Sequence, residues 1–219
     1  MLGWMKFKQP LYSAVQACNQ VGIPATNTPA RDCHYLALDL ELTGLHAKQD
    51  HIVSIGWVPI RNQQICLSEA KHYLFRPPTS VGQSAIYHGV HDRDLKNASE
   101  LADVLLKLLQ DYAGYVFVAH HCRLDRAFLQ IAYQRLFGKA PTMQFMDTLN
   151  IEWHRMQKQG TVMKKDALRL PQCLARHKLP VSAQHHALED AYGCALLFLS
   201  QLKKSHPQIT LGDLLIQSS

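Results

Sequence analysis

From Tyr35 onward the chain alternates apolar and polar positions with a period of two. The run Tyr35-Leu36-Ala37-Leu38-Asp39-Leu40-Glu41-Leu42-Thr43-Gly44 predicts a β-strand ending in a turn. Successive side chains on a strand point to opposite faces. Tyr35, Ala37, Asp39 and Glu41 therefore share one face, and Leu36, Leu38 and Leu40 the other. Strand-like runs follow at 52–60, 63–68 and 71–76, with a tight turn at Arg61-Asn62, and Tyr115 to Ala119 reads as a short buried strand. Elsewhere the spacing is helical. Leu101, Val104, Leu105 and Leu108 follow Ser99, a good N-cap. Phe128, Leu129, Ala132, Tyr133 and Leu136 form a stripe in a helix from Leu124 to Phe137, ended by Gly138. A last long helix starts at Ala187, carries Ala191, Cys194, Phe198 and Leu202, and ends at Lys203-Lys204.

A further helix is expected after Asp147, and a short one with Pro171 in its first turn ends near His177. Thr210 to Ile216 adds one turn, Leu11 to Val21 reads as a short amphipathic helix, and Pro24 to Pro29 as a linker. Adjacent strands followed by strand–helix alternation predict an α/β protein with a mixed sheet. The expected organisation is an N-terminal extension over 1–33 (short helix plus linker), a main domain over 34–204 and a C-terminal tail over 205–219.

Against this pattern, four carboxylates stand out. Asp39 and Glu41 lie on one face of the first strand, where they repel each other and lose hydration if covered. A divalent cation between them removes both penalties. Extending the apolar stripe of the Leu124–Phe137 helix backward lands on Asp125, a charge on the core-facing side of its first turn. Asp190 opens the last helix, five residues after His185.

These residues carry a resemblance. Asp39-Leu-Glu41-Leu-Thr43-Gly44 resembles the first motif, Asp-x-Glu-x-Thr-Gly, of the DEDD 3′–5′ exonucleases. His120-His121-Cys122-Arg123-Leu124-Asp125-Arg126-Ala127-Phe128-Leu129 resembles the second, His-Asn-x-x-Phe-Asp-x-x-Phe-Leu, with His121 in place of Asn and Leu124 in place of Phe. His185-His186-Ala187-Leu188-Glu189-Asp190-Ala191 is similar to the third in its histidine form, His-x-Ala-Leu-x-Asp-Ala. Weaker echoes are Ile86-Tyr87-His88-Gly89-Val90 and Asp147-Thr148-Leu149. By resemblance the chain is identified as a DEDDh exonuclease, a family that includes the proofreading epsilon subunit of bacterial DNA polymerase III.

The resemblance implies a ribonuclease H-like fold over 34–204, a mixed β-sheet flanked by helices. It also implies a metal-dependent 3′–5′ exonuclease that releases nucleoside 5′-monophosphates from single-stranded 3′ ends by a two-metal-ion mechanism, with DNA preferred. Under it, Asp39, Glu41 and Asp190 hold one ion, Asp39 bridges to a second, Asp125 reaches that second ion through water, and His185 takes the proton of the attacking water. Oxygen-only ligands favour Mg²⁺ or Mn²⁺ over zinc. Leu42, Thr43, His88 and His120 fall where the family grips the terminal nucleotide. His186 occupies the family's variable position and is expected to face solvent or the substrate strand. The alternatives are an RNA 3′-end trimming enzyme of the same chemistry and a non-catalytic module that binds nucleic acid or docks on a polymerase.

Composition adds limits and one further expectation. A hydrophobic content of 47% in 219 residues is ample for a core. No apolar run approaches the ~18 residues of a membrane span, and the N-terminus lacks the features of a signal peptide. The six cysteines are scattered without a C-x-x-C pair, which fits reduced thiols in a cytoplasmic protein. Arg155, Lys158, Lys164, Lys165, Arg169, Arg176 and Lys178 face only Asp166 in the same stretch, so the whole net charge of +6 lies there. Two readings stand: a solvated face, or a phosphate track beside the site. Few residues follow the last long helix, so residues 1–33 are the better docking segment for a polymerase or other protein. A separate repair or trimming role is expected over dedicated proofreading.

Overall fold

A computed structural model describes residues 2–160, 166–181 and 186–219. In chain order the elements are α1 (Leu2–Val21), β1 (Tyr35–Leu42), β2 (Ile52–Arg61), β3 (Gln64–Ile65), β4 (Lys71–Leu74), α2 (Ala85–His88), α3 (Leu101–Asp111), β5 (Val116–Ala119), α4 (Arg123–Phe137), β6 (Phe145–Asp147), α5 (Thr148–Lys158), α6 (Leu170–Arg176), α7 (Ala187–Lys204) and α8 (Leu211–Gln217), with short 3₁₀ turns between. The strands form one six-stranded sheet in the order β3-β2-β1-β5-β6, with β4 also paired to β2. β1 runs antiparallel to β2 and parallel to β5, and β5 runs parallel to β6, so the sheet is mixed.

The alternation along β1 divides the core in two. Leu36, Leu38 and Leu40 pack with Ile55 and Trp57 against Leu105 and Leu108 of α3 and Leu129 and Tyr133 of α4. Tyr35 and Ala37, on the other face, pack with Val116 and Val118 against Cys194, Phe198 and Leu202 of α7. Asp39 and Glu41 continue this second face and lie on the α7 side of the sheet.

Several boundaries differ from the sequence reading, each for a local reason. The run 63–68 is a strand only over Gln64–Ile65. The Cys66 amide still bonds the Pro59 carbonyl (2.9 Å), but Pro59 has no N–H to return, and the chain turns into a 3₁₀ helix at Leu67. The hairpin before it holds Asn62 and Gln63 at φ 50° and 61°, the left-handed conformation that a two-residue loop demands. Ser99 does not cap α3. Its amide bonds the Leu74 carbonyl (2.9 Å), extending the β4 pairing, and Glu100 takes the cap position. Three-residue β6 is too short to show a period. α1 reaches back to Leu2, and its Val15 is fully buried against the α3/α4 layer. α8 buries Leu211 and Leu214 in the α7 layer, and its N-cap Thr210 is bonded to Asp213 in both directions. No described helix is long and apolar enough to cross a membrane.

Candidate active site

Three separate elements carry the acidic residues to one place. β1 ends with Asp39 and Glu41 two residues apart on one face, α4 starts two residues before Asp125, and α7 places Asp190 in its first turn. One ligand oxygen from each of Asp39, Glu41 and Asp190 lies within 4.8 Å of the others, the one such group among the described residues. Asp125 stands just outside this group, buried at 7% exposure.

The cause of this convergence lies in the pairing register. Asp39 pairs with Gly56 on β2, and Gly56 with His72 on β4. A methyl group on Gly56 would overlap the backbone of Ala187 and Leu188. The missing side chain lets the first turn of α7 lie directly on the sheet, and that contact puts Asp190 beside Asp39. After Glu41 the register shifts, leaving one extra residue on β2, Val53, between the partners of Glu41 and Leu42. Val53 packs instead into a small core with Val81, Val90 and Leu95.

The electrostatics are those of crowded acids. Burial raises the Asp39 carboxyl well above the ordinary range, and Asp125, Glu41 and Asp190 push it further. Burial, then Asp190 and Asp125, raise Glu41 to about 7. Asp125 is raised to about 7 by burial, opposed by the backbone amides of Asp125 and Leu40. A divalent cation relieves both the repulsion and the lost hydration. Carboxylate oxygens only, from residues still partly open to solvent, suit Mg²⁺ or Mn²⁺ rather than zinc. The residues therefore fit the ions the sequence implied.

The remaining expected residues divide. His185 lies outside the described residues, as do Lys164 and Lys165. His186 is part-buried at the N-cap position of α7, and its ring packs tilted against that of His72 with centroids 4.3 Å apart. His72 Nε2 and His186 Nδ1 are both buried without a hydrogen-bond partner, and burial followed by His186 lowers the His72 pKa to about 4. His120 is used internally. Its Nε2 donates to the Leu168 carbonyl (2.7 Å) and its Nδ1 meets the Thr148 hydroxyl (2.9 Å), leaving neither ring nitrogen for a substrate. His88 is likewise closed, accepting the Val90 amide at Nδ1 (3.1 Å) and meeting Ser84 at Nε2 (3.2 Å). Thr43 binds the turn after β1 through the His51 amide (3.0 Å), and Leu42 packs on the α3/α4 core.

The basic stretch is also partly internal. Glu152, fully buried on α5, accepts from Arg155 (2.6 and 2.9 Å), Arg176 (2.8 Å) and His177 (3.0 Å). Although burial alone would raise its carboxyl, hydrogen bonds from Arg155, His177 and Arg176 hold it well below the ordinary range. Arg155 and Arg176 are thus structural ion-pair partners. Glu152 lies three residues before the basic stretch begins at Arg155.

Two positioning residues, Gly56 and His72, escaped the sequence reading, and Asp147 entered it only as a weak motif echo ahead of a helix. Asp147 accepts the amides of His121 (2.9 Å), Cys122 (3.0 Å) and Leu149 (2.9 Å), fixing the loop that leads into Asp125. It also caps α5, and an acid directly ahead of a helix was the available signal. A glycine inside an apolar strand signalled the close approach at Gly56. Nothing in the sequence singled out His72.

A mixed sheet with helices on both faces, and carboxylates from β1, α4 and α7 gathered at the end of its central strand, make a ribonuclease H-like architecture. The model of the RNase_T family, described as exonuclease, matches residues 36–198, and the chain belongs to that family. The DNA polymerase III PolC-type protein of Thermotoga maritima is 27% identical over 169 residues, covering 77% of this chain and 12% of that one. Its counterpart from Staphylococcus epidermidis is 25% identical over 189 residues, covering 84% and 12%. The chain thus spans about an eighth of the length of the curated relatives it matches. Among solved structures, E. coli Exonuclease I in complex with a dT13 oligonucleotide aligns with a TM-score of 0.67 at 14% identity, over 81% of this chain and 42% of that one. Exonuclease X in complex with 5′ overhanging duplex DNA aligns with a TM-score of 0.60 at 20% identity, over 83% and 99%. At these identities the structural likeness is one of fold.

Proposed function

We propose that the chain is a divalent-metal-dependent 3′–5′ exonuclease that removes nucleoside 5′-monophosphates from single-stranded 3′ ends, with DNA preferred. The observation that carries this reading is the meeting of Asp39, Glu41 and Asp190, from two elements, within 4.8 Å beside the buried Asp125. Asp39, Glu41 and Asp190 would hold the first Mg²⁺ or Mn²⁺ ion, and Asp39 with Asp125 the second. Such ions, when bound, neutralise charge at the phosphate and activate water. The protein's part is to hold the acids in place. Gly56 sets Asp190 against Asp39, and Asp147 fixes the approach to Asp125. His185, at the family's spacing from Asp190, is the general base of this reading, since an unperturbed imidazole, with a pKa of ~6.5, exchanges protons near neutral pH.

The choice of DNA is supported by relatives named as DNA polymerases and by solved neighbours bound to an oligothymidylate and to duplex DNA with an overhang. Six cysteines without a disulfide support a reducing compartment. The catalytic unit of this reading is 34–204, with α1 available to a protein partner. Matched 5′-labelled single-stranded DNA and RNA, incubated with Mg²⁺ and then with chelator, test it. A descending ladder on DNA that chelator abolishes is expected. A preference for RNA would move the reading to 3′-end trimming, and no degradation of either would overturn it.

A further inference from the structure

The acid that fixes the approach to Asp125 is itself held from outside the family core. Asp147 ends β6, the last strand in the sheet order, and is 3% exposed. Its carboxylate is occupied by the amides of His121, Cys122 and Leu149. Its own amide donates to the Ser218 hydroxyl at the end of α8 (2.5 Å). The Ser218 carbonyl in turn accepts from the Asn150 side chain on α5 (3.1 Å). A buried amide left without such a partner is destabilising. The other end of α8 is fastened to the linker before β1. The Ala30 amide donates to the Ile209 carbonyl (2.9 Å), and the Leu211 and Gly212 amides donate to the Thr28 and Thr26 carbonyls (2.8 Å each). Leu211 and Leu214, buried between these ends, seat the helix. The linker and α8 both lie outside the span 36–198 that matches the family.

We propose that Ser218 is a positioning residue for the metal site, acting through Asp147. The proposal rests on the nuclease reading above and adds a residue from outside the matched span. Every step of the route is a bond on the chain or a hydrogen bond. Ser218 fixes the Asp147 backbone where β6 ends. The Asp147 carboxylate then fixes the turn at His121 and Cys122. His121 holds a φ of 66° there, a conformation that a residue with a side chain adopts only at a cost. The bond from its amide to Asp147 offsets that cost. Asp125 follows three residues after Cys122, in the first turn of α4. Loss of the Ser218 hydroxyl leaves the Asp147 amide without its partner, loosens the turn and lets Asp125 move relative to Asp39.

The test compares the wild type with Ser218→Ala, with Ser218→Thr, which keeps the hydroxyl, and with Ser219→Ala. Ser219 is the control, since its hydroxyl donates back to α8, at the Leu215 carbonyl (2.8 Å). The first readout needs no metal. Hydrogen exchange of the His121 and Cys122 amides, followed by NMR, reports how often the turn opens. Ser218→Ala should speed it by about two- to tenfold, the span of one hydrogen bond. Exchange at Leu38, buried in the middle of β1, should not change. The second readout is calorimetric titration with Mn²⁺. Ser218→Ala should weaken the weaker binding step by a similar factor, less than the ~10–100-fold lost with a group that orients a ligand directly. At limiting Mn²⁺, kcat on single-stranded DNA should fall with it while KM holds. Ser218→Thr and Ser219→Ala should match the wild type throughout. Unchanged exchange and Mn²⁺ affinity in Ser218→Ala, beside a wild type that binds Mn²⁺ and cleaves DNA, would overturn the positioning role and leave the nuclease reading standing. Equal acceleration at Leu38, equal losses in Ser219→Ala, or no recovery in Ser218→Thr would overturn it too, because the effect would then be general to the fold or the helix end. A wild type that neither binds Mn²⁺ nor shortens DNA would bring down the nuclease reading, and this proposal with it.

Discussion

At the scale of single residues, the site is a set of acids held against their preference. Glu41 and Asp125, raised to about 7 from ordinary values of 4.5 and 3.8, bind more protons folded than unfolded between those limits. Asp39 is raised in the same sense. In the metal-free protein their stabilising contribution is full below the ordinary values and is lost as pH rises toward 7. Asp39→Asn removes one of the repelling charges. Its melting temperature without metal should therefore exceed the wild type's, by ~2–4 °C for each kcal/mol relieved. The gap should widen from pH 5 to pH 8, as calorimetry at the two pH values would read. A gap that closes toward pH 8 would mean that the carboxylates do not repel.

The neighbouring histidines His185 and His186 are separable by kinetics. His186 is held against His72, whose pKa near 4 keeps it neutral at working pH. His186→Ala should lower stability and leave the shape of the pH–rate profile unchanged. His185→Ala should lower turnover by ~10²–10⁴-fold and remove the rising limb through the histidine range. Single-turnover rates from pH 5.5 to 8.5 distinguish the two.

At the scale of elements, the first turn of α7 lying on Gly56 is the contact that assembles the site. Gly56→Ala must lift Ala187 and Leu188 off β2 and carry Asp190 away from Asp39. Gly193→Ala is the control on the same helix, since its new methyl meets only the ends of the Leu174 and Leu170 side chains. Mn²⁺ should raise the melting temperature of Gly193→Ala much as it does the wild type's. It should do so far less for Gly56→Ala, and equal Mn²⁺ shifts would show that α7 does not need this contact.

The elements themselves were legible where a period ran long enough. β1, α4 and α7 show their faces in sequence, so the four carboxylates stand out in the sequence itself. What was not legible was set by pairing across the sheet. Register decided that Gly56, and with it α7, would meet Asp39. It also placed His72 under His186, and it left Ser99 continuing the β4 edge instead of capping α3.

At the scale of the whole molecule, charge was the least readable property. A run of bases looked like a surface track, yet Arg155 and Arg176 converge on Glu152, beyond the edge of that run, and the buried acid holds both. Arg176→Met should cost ~1–3 kcal/mol by leaving a charged hydrogen bond unmade. It should leave the salt dependence of oligonucleotide binding unchanged. A lower salt slope in that variant would return Arg176 to the substrate. The segments outside the resemblance are bound into the same body, α1 through Val15 and α8 through Leu211 and Leu214.

The account stands or falls on whether the cluster at the end of β1 cleaves phosphodiesters. The direct measurement is the rate of shortening of 5′-labelled single-stranded DNA in Mg²⁺ by wild type and by Asp39→Asn, with folding of the variant established by its melting temperature. The account predicts a stepwise ladder from the 3′ end for the wild type. For a variant at least as stable as the parent, it predicts a loss of at least about two orders of magnitude, the scale of losing a principal electrostatic contact in a reaction. Activity of Asp39→Asn within about tenfold of wild type, a cost of only ~1.4 kcal/mol in the barrier, would contradict it.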